Sequence, residues 1–199
     1  AGLVYADNSG HPLDELAARA AARGLAGRTE FLSFAQDVPG RHSRLYLEML
    51  LVAEAMRRSA WLGADPDRVI WKVTGRYVVA NAAAIVASRP ADADLYLNLR
   101  NWPERTVDFY FLAFRAGRFA SHLARDLDAL AGPGSGEAVL RRRIDAGAFG
   151  DLRTVPRFRV TPRLEGVRGY DGAAYGSARD RAKYALRRAA NRLLPGLWI

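Results

Sequence analysis

Lys72, Thr74, Gly75, Arg76 and Tyr77 cluster where an apolar run ends, in the stretch RVIWKVTGRY over residues 68–77. An α/β sheet holds its ligands at strand ends, so cations, a hydroxyl and a glycine there suit a phosphate-bearing ligand. Fixed positive charge stabilises a phosphate that gains charge as it departs, and a glycine lets a ligand approach the backbone. Lys72 adds weight, because of 30 basic residues only Lys72 and Lys183 are lysine. Its compact ammonium is a point charge that the planar arginine fork does not reproduce. An ordinary turn with solvated charges explains the same residues, and on this segment alone the two readings stand level.

Other polar residues sit where chemistry is expected. Arg100 and Asp108 flank an aromatic strand, Phe109-Tyr110-Phe111, and Asp108 is a candidate general base. Glu165, in the glycine-punctuated loop RLEGVRGY, is the second candidate base. Asp7 and Asn8 follow the first apolar run, where a nucleotide-contacting carboxylate would stand. An Asx turn capping the helix that opens at Pro12 fits them equally well. Arg41, His42, Ser43 and Arg44 precede a helix whose N-terminus suits an anion, with Glu48 one turn in, although an N-cap serine among surface charges accounts for them too. Two D-x-D strings, Asp65-Pro66-Asp67 and Asp92-Ala93-Asp94, precede strands instead of following them. They read as turn formers, so no metal and no cofactor is expected. The absence of cysteine and the scatter of His11, His42 and His122 point the same way.

The elements that must position these groups alternate in type. Strands are expected at residues 3–6, 29–34, 68–73, 95–99 and 107–114, with an extended stretch at 158–161. Helical spacing runs over residues 13–21, 43–60, 81–87, 118–130 and 137–146. Strand–helix alternation over the first two thirds of the chain predicts an α/β fold with a mostly parallel central sheet flanked by helices. One domain is expected over residues 1–176, and because the first residue is alanine the chain reads as a processed, truncated or renumbered piece.

With 199 residues, half of them hydrophobic, the chain can bury a sizeable core. A net charge of +9 favours anionic partners: nucleic acid, phosphorylated small molecules or an acidic membrane surface. Residues 177–199 are expected to form a basic amphipathic helix and a short tail. Ala178, Ala182, Ala185, Leu186, Ala189, Ala190, Leu193 and Leu194 make its apolar stripe, bordered by Arg179, Arg181, Lys183, Arg187, Arg188 and Arg192, with Trp198 near the end. Such a helix resembles an interfacial membrane element, and it would also serve as a packing helix or a nucleic-acid contact.

The order of VYADNS (residues 4–9), WKVTGRY (71–77) and TPRLEGVRGY (161–170) resembles bacterial glycosyltransferases of capsule and O-antigen assembly with a GT-A-like, Rossmann-type layered fold. In such proteins a K-x-T-G-R-Y segment ends a central strand. The chain departs from that pattern at residues 40–48, where Leu47-Glu48 stands in place of Gly-Glu. The resemblance implies a nucleotide-sugar donor, a polysaccharide or lipopolysaccharide precursor as acceptor, often lipid-linked, and a place in the cytoplasm at the inner face of the membrane. On this reading Lys72 and Arg76 hold the donor phosphates without metal, Thr74, Gly75, Tyr77, Arg100, Asp7 and Asn8 line the donor site, and Asp108 or Glu165 deprotonates the acceptor. A nucleic-acid-binding module and a non-catalytic membrane scaffold are the competing readings. The first lacks any RNP-type or helix-turn-helix pattern.

Overall fold

A computed structural model describes residues 2–75, 77–125, 127–132, 134–166, 177–194 and 196–199. In chain order the first elements are β1 (Leu3–Asp7), α1 (Asp14–Ala22), β2 (Thr29–Ser33), α2 (Arg44–Arg58), β3 (Val69–Val73), β4 (Tyr77–Val79) and α3 (Ala82–Ala87). Then come β5 (Leu95–Arg100), β6 (Thr106–Arg115), α4 (Ala116–Arg118), α5 (Gly136–Asp145), β7 (Thr154–Val155), β8 (Leu164–Gly166) and α6 (Ala178–Leu193). They form two compact units, residues 1–68 with 115–136 and residues 69–114 with 137–199.

In the first unit β1 and β2 run parallel, with Leu3 opposite Thr29 and Asp7 opposite Ser33. A crossover carrying α1 connects them, as parallel neighbours require. Ser43 starts α2 as an N-cap: its hydroxyl accepts from the Tyr46 amide at 3.1 Å and donates to the Leu130 carbonyl at 2.7 Å. That tie leaves no room for a side chain at Gly136, where a Cβ would lie 2.5 Å from Ser43 Oγ and 2.8 Å from Leu45 Cβ. The single helix expected over residues 118–130 is broken into α4, a wide turn at 119–123 and a tight one at 127–130. The wide turn closes through the Ala124 amide and the Phe119 carbonyl at 2.8 Å, and it buries Phe119, His122 and Leu123 together.

The second unit carries a four-stranded sheet in the order β3-β6-β5-β7. β5 is antiparallel to β6, Leu95 facing Phe114 and Arg100 facing Thr106, and parallel to β7. The mostly parallel central sheet expected from the strand–helix alternation is therefore corrected to a mixed one. The cause lies in the short connection over residues 101–105, long enough to turn a hairpin but far too short for a parallel crossover. The fold is mixed α/β. The stretch at 158–161, expected to be extended, is irregular, and Phe158 plugs the core.

The core of this unit is aromatic. Trp71 stacks on Phe111 with centroids 5.0 Å apart, and Phe158 meets Tyr96 edge-on at 4.9 Å, around a fully buried Ile85 from α3. The one polar atom of Tyr96 is satisfied, since its hydroxyl lies 3.0 Å from Ser88 Oγ and accepts from the Arg159 amide at 2.7 Å.

α6 opens with a capping box in which the Ser177 hydroxyl accepts from the Asp180 amide and the Asp180 carboxylate accepts from the Ser177 amide. It docks through its polar side. Asn191 donates to the Thr161 hydroxyl at 2.7 Å and accepts from Arg157, and Asp180, Tyr184 and Arg187 are half-buried on the same side. Of the apolar stripe only Ala190 is buried. The tail beyond α6 is held by Asn101, whose amide donates to the Trp198 carbonyl at 2.8 Å and whose side-chain oxygen accepts from the Trp198 amide at 2.8 Å.

Candidate functional site

β3 ends on Lys72 and Val73, with Thr74 just beyond it, and Trp71 is the last residue of the strand that stacks in the core. The Lys72 side chain is buried against β6. Its ammonium donates to the Phe109 carbonyl at 2.5 Å and to Thr74 Oγ1 at 2.8 Å, and it lies 4.2 Å from the centre of the Phe109 ring. The Thr74 amide donates to the Tyr110 carbonyl at 2.9 Å, so the strand end is pinned to β6 by backbone and side chain alike. A hydroxyl that accepts from an ammonium is polarised as a donor. Past it, Gly75 is open: a Cβ there would meet nothing within 4 Å. Arg76 lies outside the described residues, and of Tyr77 the backbone alone is described.

That backbone leads to a partner the sequence did not indicate. β4 pairs antiparallel with β8, placing Tyr77 opposite Gly166, Val78 opposite Glu165 and Val79 opposite Leu164. Two segments far apart in sequence, Tyr77–Val79 and Leu164–Gly166, thus share one two-stranded ribbon. Asn81 fixes its base, donating to the Thr161 carbonyl at 2.9 Å and accepting from the Arg163 amide at 2.8 Å. Glu165 keeps an exposed carboxylate, 3.5 Å from Arg163 Nε. The available signal was the glycine at position 166, but three-residue strands carry too little periodicity to be recognised.

Asp108 and Arg100 are brought together, and chiefly with each other. Arg100 Nη2 donates to Asp108 Oδ1 at 2.7 Å, and Asn98, directly across the ladder, donates to Oδ2 at 2.7 Å. The Asp108 side chain is only 4% exposed. A base must reach the proton it takes. Buried and with each oxygen accepting a hydrogen bond, Asp108 is placed to anchor the sheet end, whereas Glu165 is accessible. Arg100 is held further by Arg141, which donates to its carbonyl and pairs with Asp145 at 2.9 Å, and Arg100 Nε is buried without a hydrogen-bond partner.

Asp7 and Asn8 belong to the first unit, and their turn accounts for them. Asp7 Oδ1 accepts from the Ser9 hydroxyl and from the Ser9 amide at 2.9 Å, bonds that hold its carboxyl below the ordinary aspartate range. Asn8 donates to Gln36 Oε1 at 3.2 Å. Of the D-x-D strings, Asp65-Pro66-Asp67 does the work of a turn, Asp65 Oδ1 accepting from the Asp67 amide. Asp92-Ala93-Asp94 instead ties to a distant segment: Asp94 accepts from the Arg153 amide, and Asp92 pairs with the Arg153 guanidinium at 2.6 Å. Among the described residues no group of three or more histidine, aspartate or glutamate side chains is placed to hold a metal ion.

The chain was compared with protein-family models, with curated proteins and with solved structures, and nothing in any of the three matches it.

Proposed function

We propose that the second unit binds a nucleotide-sugar donor at the end of β3 and transfers its sugar to a polysaccharide or lipopolysaccharide precursor. The observation that carries this reading is the β4–β8 ribbon, which joins the cationic, glycine-open end of β3 to a strand bearing an exposed glutamate. In the reaction the acceptor hydroxyl oxygen attacks the anomeric carbon while the bond from that carbon to the phosphate oxygen breaks. The nucleoside diphosphate leaves carrying the extra negative charge. Lys72 supplies the field that stabilises this charge, the Thr74 hydroxyl and the Gly75 backbone meet the phosphate, and Glu165 takes the acceptor proton. Arg76 is the second cation by sequence position. Asp108 and Arg100 position the sheet end, and Asp7 is not required.

The test is a thermal-shift series with nucleotides and nucleotide sugars, with magnesium and with EDTA, on the native chain and on Lys72→Met. A donor that binds the folded state raises Tm by mass action. The expected result is a shift with at least one nucleotide sugar, retained in EDTA and absent in Lys72→Met. No shift with any nucleotide sugar rejects the donor site, and a shift that needs magnesium rejects the role given to Lys72.

A further inference from the structure

We propose that the outward face of α6 lies on an anionic lipid surface. The helix is anchored through Asn191 and Ala190, so the side it turns away carries the apolar stripe. Leu186 and Leu193, two turns apart on one line of the helix, are 58% and 76% exposed. Arg179 and Lys183 border that line on one side, and Arg188 and Arg192 lie on the other; all four are exposed. None of the four forms an ion pair with a described residue. An apolar line between two rows of cations matches a bilayer interface, where acyl chains take the leucines and anionic headgroups take both rows. A nucleic acid would take the cations but would leave the leucines in water. Among the described residues no helix is long and apolar enough to cross a membrane, so the contact is one of lying on the surface.

This inference does not depend on the proposed reaction. The full chain is titrated with vesicles of phosphatidylcholine alone, and with vesicles of phosphatidylcholine and phosphatidylglycerol in equal parts. Binding to the anionic vesicles only, weakening as salt rises, is expected. Replacing one of Arg179, Lys183, Arg188 or Arg192 by Gln should weaken it about fivefold. Leu186→Ser with Leu193→Ser should weaken it at least about tenfold, with helix content by circular dichroism and any donor-induced Tm shift both unchanged. The proposal is overturned by no binding to anionic vesicles, by equal binding when both leucines are replaced, or by tighter binding to duplex DNA than to the vesicles. Self-association abolished by the leucine changes, without vesicle binding, would assign the face to a second copy of the chain and overturn it as well.

Discussion

The ends of β1 and β3 carry the polar clusters that stand out first in the sequence, and they spend their polar atoms differently. At β1 the Asp7 carboxylate is used by Ser9, two residues on, so the turn satisfies itself. At β3 the Lys72 ammonium reaches across to the Phe109 carbonyl of another strand, and the chain then runs into the open backbone of Gly75. A self-satisfied turn costs the fold little and offers a ligand little. A buried ammonium tied to a neighbouring strand carries a desolvation cost that a turn does not need, and functional sites are where such costs are tolerated. β5 supplies the third case, a cation and a carboxylate that neutralise each other in Arg100–Asp108.

That third case gives the largest expected effect and tests whether β5 is structural while β3 is functional. Arg100→Leu leaves Asp108 buried without its cation and should lower unfolding stability by about 3 kcal/mol in denaturant titration. Arg100→Leu combined with Asp108→Asn should recover most of that loss, because no uncompensated charge remains. Failure of the double variant to recover would mean that the pair does more than balance charge.

Lys72→Met keeps the aliphatic stem and removes the charge. If β3 ends in a donor site, kcat/KM should fall about a hundredfold or more, the scale set by removing one stabilising group from a developing anion. Stability should fall by only about 1–2 kcal/mol, since the Phe109 carbonyl loses one charge-assisted bond. Full turnover with reduced stability would make Lys72 the structural equivalent of Arg100. Gly75→Ala separates the possibilities further, because its Cβ has open space and should leave Tm unchanged. A phosphate seated against that backbone would nonetheless be displaced, so donor affinity measured by calorimetry should weaken about tenfold.

The sequence was informative where one face of an element does one job. β1, β2, β3, α2 and α3 follow their apolar periods, and the Ser43 cap on the Tyr46 amide and the Asp65-Pro66-Asp67 turn are local side-chain chemistry that needs no tertiary context. Strand–helix alternation predicts a parallel sheet, but the short 101–105 connection between β5 and β6 forbids a parallel return. The β4–β8 ribbon depends on a pairing between residues 77–79 and 164–166, and three-residue strands do not announce a partner. The pairing of Arg100 with Asp108 depends on the β5–β6 register, in which Asn98 faces Asp108. At α6 the apolar stripe was legible, but Asn191, with its bonds to Thr161 and Arg157, sets which face is buried.

The smallest effect belongs to the end of β1 and confirms or breaks its assignment as a self-satisfied turn. Hydrogen bonds from the Ser9 hydroxyl, and then from the Ser9 amide, depress the Asp7 pKa below its usual 3.8. A carboxyl depressed in the folded state binds its proton more readily when unfolded, so its stabilising contribution is present above the usual value and fades as pH falls through the folded one. Asp7→Asn should therefore be destabilising near neutrality, and the gap from the native chain should close in melts taken at progressively lower pH. Ser9→Ala removes the hydroxyl bond to Asp7 and should cost about 0.5–1 kcal/mol by the same measurement. If the proposed donor site at the end of β3 holds, neither change should alter donor affinity. If Asp7→Asn weakened donor binding while leaving Tm unchanged, the two strand ends would have to exchange their assignments.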